Sequence, residues 1–380
     1  MQETGHEIAE ITEGTTKILV PKRSIAEKVP PREPAFFNPK AKMNRDMSIL
    51  AYSAFIRGFH GPKIFVDCMS GLGSRGLRVA NELEVERVVI NDLNPRALEL
   101  AKKSAGLNNL ENVQITEKEA CRLCSDFSKK NERASMVDID PFGSPARFID
   151  CGIRATMHGG ILAATATDLQ VLNGLFQNAC MRRYGGIPVR AEYGNEVAIR
   201  LLLGCIRHIA ARMDIEIVPL FVESDMHYYR VFVRVLNRPD QKENIGYITH
   251  CDSCGGRKAT SLHQTSCEMC ESGVRQAGPL WTGKLFEREF VEDMISGLDR
   301  FDVHKGCEKV LSAAALETEM PAPYYTLDEV ASKMRASPIK LADAIGRLTG
   351  NGFVASPTSL DPTGFRTDAS VREIEEVFSG

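Results

Sequence analysis

The chain reads as an α/β protein built on a doubly wound parallel sheet, closed by a terminal antiparallel hairpin and followed by a cysteine-bearing α+β part. Three observations carry that reading. From residue 63 to 166 short apolar runs alternate with helix-like stretches, the rhythm of a parallel sheet covered on both faces. Two further apolar runs, 215–221 and 227–236, are separated only by a short polar link containing Glu223-Ser224-Asp225, which suits an antiparallel hairpin and not a helical crossover. Beyond residue 246 the composition turns small and cysteine-rich.

In chain order, Thr15-Thr16-Lys17-Ile18-Leu19-Val20-Pro21 is a short strand. Prolines 30, 31, 34 and 39 then make an extended arm carrying Phe36-Phe37-Asn38, because proline removes the amide a helix needs. Residues 43–59 are helical, with Asn44 or Asp46 as cap. Strands follow at 63–68, 87–91, 113–116, 134–139 and 160–166. Between them the pattern predicts helices to about 84, over 95–106 with Pro95 at the first turn, and from Pro145. Residues 180–194, including Met181-Arg182-Arg183-Tyr184-Gly185-Gly186, read as a loop, either one that meets a phosphate backbone or a plain surface loop. After 285 the chain is helical and polar, and 325–368 reads helix, turn, helix and a strand-like wing, similar to a winged-helix module.

The bulk numbers exclude several classes. With 380 residues, 43% hydrophobic and 26% charged, the chain suits two or three globular domains. A net charge of -3 and a pI near 6.3 leave no global basic character, so any nucleic-acid-facing surface has to be local. One basic stretch qualifies: between residues 21 and 63, nine Lys and Arg against three acids give +6. No apolar run reaches membrane-spanning length and the first residues are polar and acidic, so we expect neither anchor nor signal peptide. Eleven cysteines without a secretory signal point to reduced thiols or a metal site in the cytoplasm.

Four segments carry chemistry. Gly71, Gly73 and Gly76 follow the first strand of the alternating series; such a turn lets a ligand approach the backbone and the amides of a helix start. The same spacing fits dinucleotide cofactors, so it does not decide the chemistry. Asn91-Asp92, after the next strand, suits the ribose hydroxyls of an adenosine, with a helix cap as the alternative use of Asp92. Glu119-Ala120 lies where such a fold reads the adenine.

The deciding segment is Asp138-Ile139-Asp140-Pro141-Phe142-Gly143-Ser144-Pro145. Proline ends the strand and holds Asp140 and Phe142 at its C-terminal edge, where open α/β sheets bind ligands. A carboxylate beside an aromatic plane grips a flat base that carries an exocyclic amine. The carboxylate accepts an amine N–H, localises the lone pair and aims it, so catalysis rests on orientation. This corner resembles that of methyltransferases acting on nucleobase amino groups. Period two puts Asp138 and Asp140 on one face, and Asp140 is the expected catalytic group. Last, Cys251-x2-Cys254-x12-Cys267-x2-Cys270 offers four thiolates for a closed, structural zinc site. Cys121-x2-Cys124 lacks a second pair and reads as buried thiols.

Together, Phe36-Phe37-Asn38-Pro39, Asn44-Arg45-Asp46, residues 70–78, Asn91-Asp92, the 138–145 corner and the four cysteines resemble the tRNA guanine-26 N2-dimethyltransferase family in its archaeal form. The resemblance spans nearly the whole chain. It implies a class I methyltransferase fold, S-adenosylmethionine as cofactor, and the exocyclic amine of a tRNA guanine as substrate. It further implies that Arg45, Arg75, Asp92, Glu119 and Ala120 contact the cofactor and that Phe36, Asp140 and Phe142 form the guanine pocket. The four cysteines would bind zinc. Two departures stand out: Met69-Ser70-Gly71-Leu72 replaces a more usual Ala-Thr-Gly-Ile run, and Glu119 stands where aspartate is frequent. The implied organisation is a methyltransferase domain with its N-terminal arm over 1–240 and a zinc-bearing, winged-helix-like, tRNA-docking domain over 241–380. No membrane or obligate protein partner is implied. The rival readings are an enzyme of the same fold acting on another nucleic acid, and a zinc-ribbon RNA-binding protein with an inert catalytic domain.

Overall fold

The alternation of strand and helix resolves into one seven-stranded sheet. In the computed structural model, which describes residues 7–129, 131–239 and 244–379, a hairpin of β1 (Ile8–Glu13) and β2 (Thr16–Pro21) comes first, then α1 (Lys22–Ala26). The proline-rich arm follows, leading through a 3₁₀ turn at Pro39–Ala41 into α2 (Lys42–Arg57). The alternating series is β3 (Ile64–Asp67), α3 (Ser74–Glu82), β4 (Arg87–Asn91), α4 (Pro95–Leu107), β5 (Val113–Thr116), α5 (Ala120–Asp126), β6 (Ala134–Ile139), α6 (Ile149–Ala155) and β7 (Thr156–Ala166). α7 (Leu169–Leu172), α8 (Gln177–Tyr184) and α9 (Gly194–Ala211) lead to β8 (Glu216–Asp225) and β9 (Tyr228–Leu236).

The strand order is β5-β4-β3-β6-β7-β9-β8. β3 to β7 run parallel, while β9 lies antiparallel between β7 and β8, so the expected terminal hairpin is present with its second strand innermost. All six residues of β6 are buried, as a central strand covered on both faces requires. The order reverses between β3 and β6, which opens a crevice at their C-terminal ends.

The C-terminal part begins with β10 (Ile245–His250), β11 (Arg257–Thr260) and β12 (Arg275–Trp281), ordered β11-β10-β12. After α10 (Arg288–Ile295) and α11 (Gly306–Glu317) come β13 (Tyr325–Thr326), α12 (Leu327–Met334), α13 (Leu341–Gly350), β14 (Ala355–Pro357), β15 (Gly364–Thr367) and α14 (Val371–Ser379). The last three strands form a small antiparallel sheet ordered β13-β15-β14, with its own apolar cluster around Leu348, Phe365 and Ile374. The principal core runs unbroken from Met47 of α2 through Leu201 of α9 to Trp281, Phe290 and Leu311. The boundary expected at 240 falls outside the described residues. Among the described residues no helix is long and apolar enough to cross a membrane.

Three expectations are corrected. The 180–194 stretch is not wholly loop: Met181, Arg182, Arg183 and Tyr184 belong to α8, which buries Cys180 and Tyr184 and ends on Gly185 in the left-handed conformation. β1, made of residues read only as polar, pairs with β2 throughout its length. Cys121 is not a free thiol but is disulfide-bonded to Cys151; α5 and α6 pack side by side and bring the two Cα atoms to 5.4 Å, within bridging range. Cys124 is a buried thiol, 3.7 Å from the sulfur of Cys68.

Candidate functional site

The C-terminal ends of β3, β4 and β6 carry the glycine turn, Asp92 and the corner of Asp140 and Phe142. Gly71 and Gly73 take left-handed backbone angles (φ 55° and 78°), which lets the turn after β3 fold back without strain and start α3. A Cβ on Gly76 would lie 2.7 Å from Ile90, so only glycine lets α3 sit this close to β4. Asp92 holds the turn: its carboxylate accepts the Gly71 amide at 2.7 Å and the Asn94 amide at 2.9 Å. Asn94, not Asp92, caps α4. Glu119 caps α5 through the Arg122 amide at 3.0 Å, and Ala120 is buried beneath it.

Asp67, at the end of β3, is buried and neither carboxylate oxygen has a hydrogen-bond partner. Burial, reinforced by nearby Asp138, pushes it up to about 8. A buried carboxyl left unsatisfied is costly, and this one sits among Asp138, Asp140 and the Arg75 guanidinium. The left-handed turn and the Asp92 carboxylate together fit an adenosine-containing cofactor.

Phe142 projects from the end of β6 and is 66% exposed; Phe36, from the arm, meets it edge to face with ring centroids 5.1 Å apart. Arg32 stacks over the same Phe142 ring at 5.1 Å. Asp140 opens to the crevice with its side chain 27% exposed and pairs with Arg75 at 2.8 Å. Arg75 is steadied by Asn44 (2.6 Å) and Ser48 (3.2 Å) of α2. Two aromatic rings set nearly at right angles and an ion-paired carboxylate thus lie together at the crevice, an arrangement that offers a planar base a ring face, a ring edge and an acceptor for its amine.

Arg45 stands apart from that group. Its guanidinium is clamped by Glu13 of β1 (2.7 Å) and the Asn38 carbonyl (3.2 Å) and stacks on Phe37 at 4.8 Å. Most of the basic stretch is likewise committed: Lys22, Arg23, Lys42 and Arg57 pair with Glu7, Glu27, Asp46 and Asp293.

Beneath Asp140 lies a charged network that the motifs do not reveal. Asp138 is fully buried and accepts hydrogen bonds from Tyr52 of α2 and from both terminal nitrogens of Arg230 on β9, with Arg75 3.6 Å away. Burial opposes its charge, but Arg230 and Arg75 outweigh it and hold the carboxyl below its usual range. Arg230 also donates to Thr165 of β7 at 2.6 Å. The available signal was an arginine set among apolar residues early in the strand, Tyr228-Tyr229-Arg230-Val231-Phe232, with Arg234 the strand's other charge.

Cys251, Cys254, Cys267 and Cys270 place their sulfurs within 4.8 Å of one another. The amides of Gly256 and Met269 each point at a sulfur 3.4 Å away, the knuckle geometry that steadies thiolates. Four such donors fit a tetrahedral zinc ion and leave no position open for chemistry.

The family model of N2,N2-dimethylguanosine tRNA methyltransferase matches residues 14–379. The chain belongs to this family. It is 34% identical over 381 residues to the tRNA (guanine(26)-N(2))-dimethyltransferase of Methanothermobacter thermautotrophicus, covering 97% of this chain and 98% of that protein. The enzyme of the same name from Sulfurisphaera tokodaii is 35% identical over 380 residues, with 97% and 98% covered. Trm1 from Pyrococcus horikoshii, solved in complex with S-adenosyl-L-methionine, superposes with a TM-score of 0.83 at 28% identity, over 97% of this chain and 99% of that one. The fold is therefore that of the family's α/β methyltransferases, and the family's defining reaction is methylation of tRNA guanine.

Proposed function

We propose that this chain transfers methyl groups from S-adenosylmethionine to the exocyclic N2 amine of guanine 26 in tRNA, forming N2-methylated guanosine. The observation that carries the assignment is the pairing of Phe36 with Phe142 beside the crevice-facing Asp140. When bound, the cofactor supplies an electrophilic sulfonium methyl group. The protein's part is to bind and orient. Asp92, Glu119 and Ala120 line the adenosine side and Arg75 approaches from α3, while Arg45 of α2 has to exchange its clamp on Glu13 and the Asn38 carbonyl to reach the cofactor. Asp140 accepts an N–H of the guanine amine and draws its lone pair out of conjugation, and it would take up the proton that the amine loses as its bond to the methyl carbon forms and the methyl–sulfur bond breaks, while Phe36 and Phe142 hold the ring plane. The target, stacked in a folded tRNA, is reached by turning it out into this pocket.

The four cysteines hold a structural zinc ion, and residues 241–380, with their winged-helix-like end, dock the tRNA body. Residues 1–240 carry the chemistry, so the division is one of labour across a shared core. The enzyme works in the cytoplasm, among its substrates. The test is methyl transfer from labelled S-adenosylmethionine to an unmodified tRNA transcript and to its guanine-26-to-adenine variant. Label on the first alone, recovered as N2-methylated guanosine, supports the assignment; label on both moves the target, and label on neither with cofactor bound refutes it.

A further inference from the structure

The segment from α7 to the loop after α8 is not used by the site above, yet it borders it. β7 leaves the sheet beside β6, and the exits are stitched together: the Thr167 amide donates to the Gly143 carbonyl (2.9 Å) and the Gly143 amide to the Thr167 hydroxyl (2.6 Å). Asp168 then accepts the Tyr184 hydroxyl at 2.6 Å and pairs with Arg183 at 2.8 Å, which fastens the end of α8 to that edge. α8 is thereby fixed next to the corner that carries Phe142.

Its outward side is unusual for a surface. Leu175, Phe176 and Met181 are 54%, 51% and 48% exposed. Gly174, in the left-handed conformation (φ 86°), turns the chain so that Leu175 and Phe176 lead into α8, and the Arg190 side chain lies against that glycine. Large apolar groups left in water beside a binding site mark an interaction surface. The neighbouring charge is positive and uncommitted. Arg182 bonds only the Asn178 carbonyl, Arg147 stacks on Phe148 at 4.3 Å, and neither these two nor Arg190 has a carboxylate partner among the described residues. Elsewhere in a chain of net charge -3 arginine is widely paired, as with Arg45, Arg78, Arg200, Arg230 and Arg366.

We infer that this face is a contact for the tRNA strand flanking the target guanosine, with Leu175 and Phe176 packed against bases uncovered when the target turns out, and with Arg147, Arg182 and Arg190 on phosphates. The inference rests on the proposed function and adds a surface to it. Apolar and aromatic groups interleaved with free guanidiniums match the two faces an opened RNA junction presents, bases and backbone. The place of the face, continuous with the pocket rim, matches where the flanking nucleotides must lie.

The test uses the full chain, an unmodified tRNA transcript, and two double variants, Leu175→Ser/Phe176→Ser and Arg182→Glu/Arg190→Glu. The arginine pair should weaken tRNA binding by about ten-fold or more and flatten the salt dependence by roughly two phosphate contacts. The apolar pair should leave the salt slope unchanged and lower kcat/KM for tRNA by about ten-fold. Cofactor affinity within about two-fold of wild type shows that each variant is folded. Unchanged tRNA binding and kcat/KM in both variants, with the wild type active, overturns the inference alone; a wild type that methylates no tRNA overturns the function beneath it. A wild-type dimer that Phe176→Ser converts to monomer would assign the face to a second copy instead and overturn the RNA contact.

Discussion

Replacing Arg230 with methionine tests whether the buried network under the site is a structural necessity. Methionine keeps much of the arginine's length but removes its charge and its bonds to Asp138 (3.1 Å) and Thr165 (2.6 Å). Removing one partner of a buried pair leaves an uncompensated charge and costs roughly 3–5 kcal/mol. Tyr52 still donates to Asp138 and Arg75 stays 3.6 Å away, so we expect a loss near the lower limit, about 3 kcal/mol. Adding Asp138→Leu removes the stranded charge as well, so the double variant should recover most of that loss, a coupling of about 2 kcal/mol or more. Denaturant unfolding followed by fluorescence is well suited, because Trp281 is the chain's single tryptophan and is buried in the core that both halves share. A loss below about 1 kcal/mol for Arg230→Met, or a double variant no more stable than the single one, would refute the reasoning.

Other outcomes are expected from the same geometry. Asp140→Ala should lower single-turnover methylation by about a hundred-fold or more while cofactor affinity by calorimetry stays within a few-fold; a near-normal rate removes Asp140 from the chemistry. Asp92→Ala removes the carboxylate that holds Gly71 and faces the proposed ribose site, so cofactor binding should weaken by about ten-fold or more, and unchanged affinity contradicts that role. Cys254→Ser opens the four-sulfur site, so zinc content by mass spectrometry should fall together with stability, and full metal retention contradicts the ligand set. Burial lifts Glu223 to about 7 against the opposing Tyr228 hydroxyl. Its folded pKa is raised above the unfolded value, so its contribution is complete below about 4.5 and is lost as pH rises through about 7. Glu223→Gln escapes that loss. Between about pH 5 and pH 8 its stability relative to wild type should rise by a few kcal/mol, whereas parallel pH profiles would show that the carboxyl does not titrate there.

The parts legible in the sequence are those that announce themselves locally. β6 is followed by a proline beside an acid and an aromatic, and β4 by Asp92, so the strand ends and the candidate site residues beside them could be read from short strings, whereas the order of the strands could not. The doubled cysteine pairs could be read because zinc needs four donors at set spacing. What stayed hidden is long-range. Arg230 finds Asp138 only once β9 has inserted antiparallel beside β7, 92 positions along the chain. α9 is passed over because nearly all its surface is buried, including Glu196 and Arg200, so no one-sided apolar stripe marks it. Cys121 and Cys151 are 30 residues apart, and only the packing of α5 on α6 makes them partners. Glu13 was one of several acids near the N-terminus until β1 carried it to Arg45.

The N-terminal hairpin has a consequence for the order in which the molecule is assembled. No strand of the seven-stranded sheet uses a residue before Ile64, yet Phe36, one wall of the proposed base pocket, comes from the earlier arm. The arm's upstream anchor is made of late contacts: Thr16 to Glu82, the Leu19 amide to Ser104, and the Lys17 amide to Asn108, across 66, 85 and 91 positions. A segment made before α3 and α4 must therefore wait until they exist before it can seat, and contacts this distant form slowly. The proposed base pocket is therefore completed after the sheet that precedes Asp140, and trimming the first forty residues would remove Phe36 together with Glu13, the partner of buried Arg45.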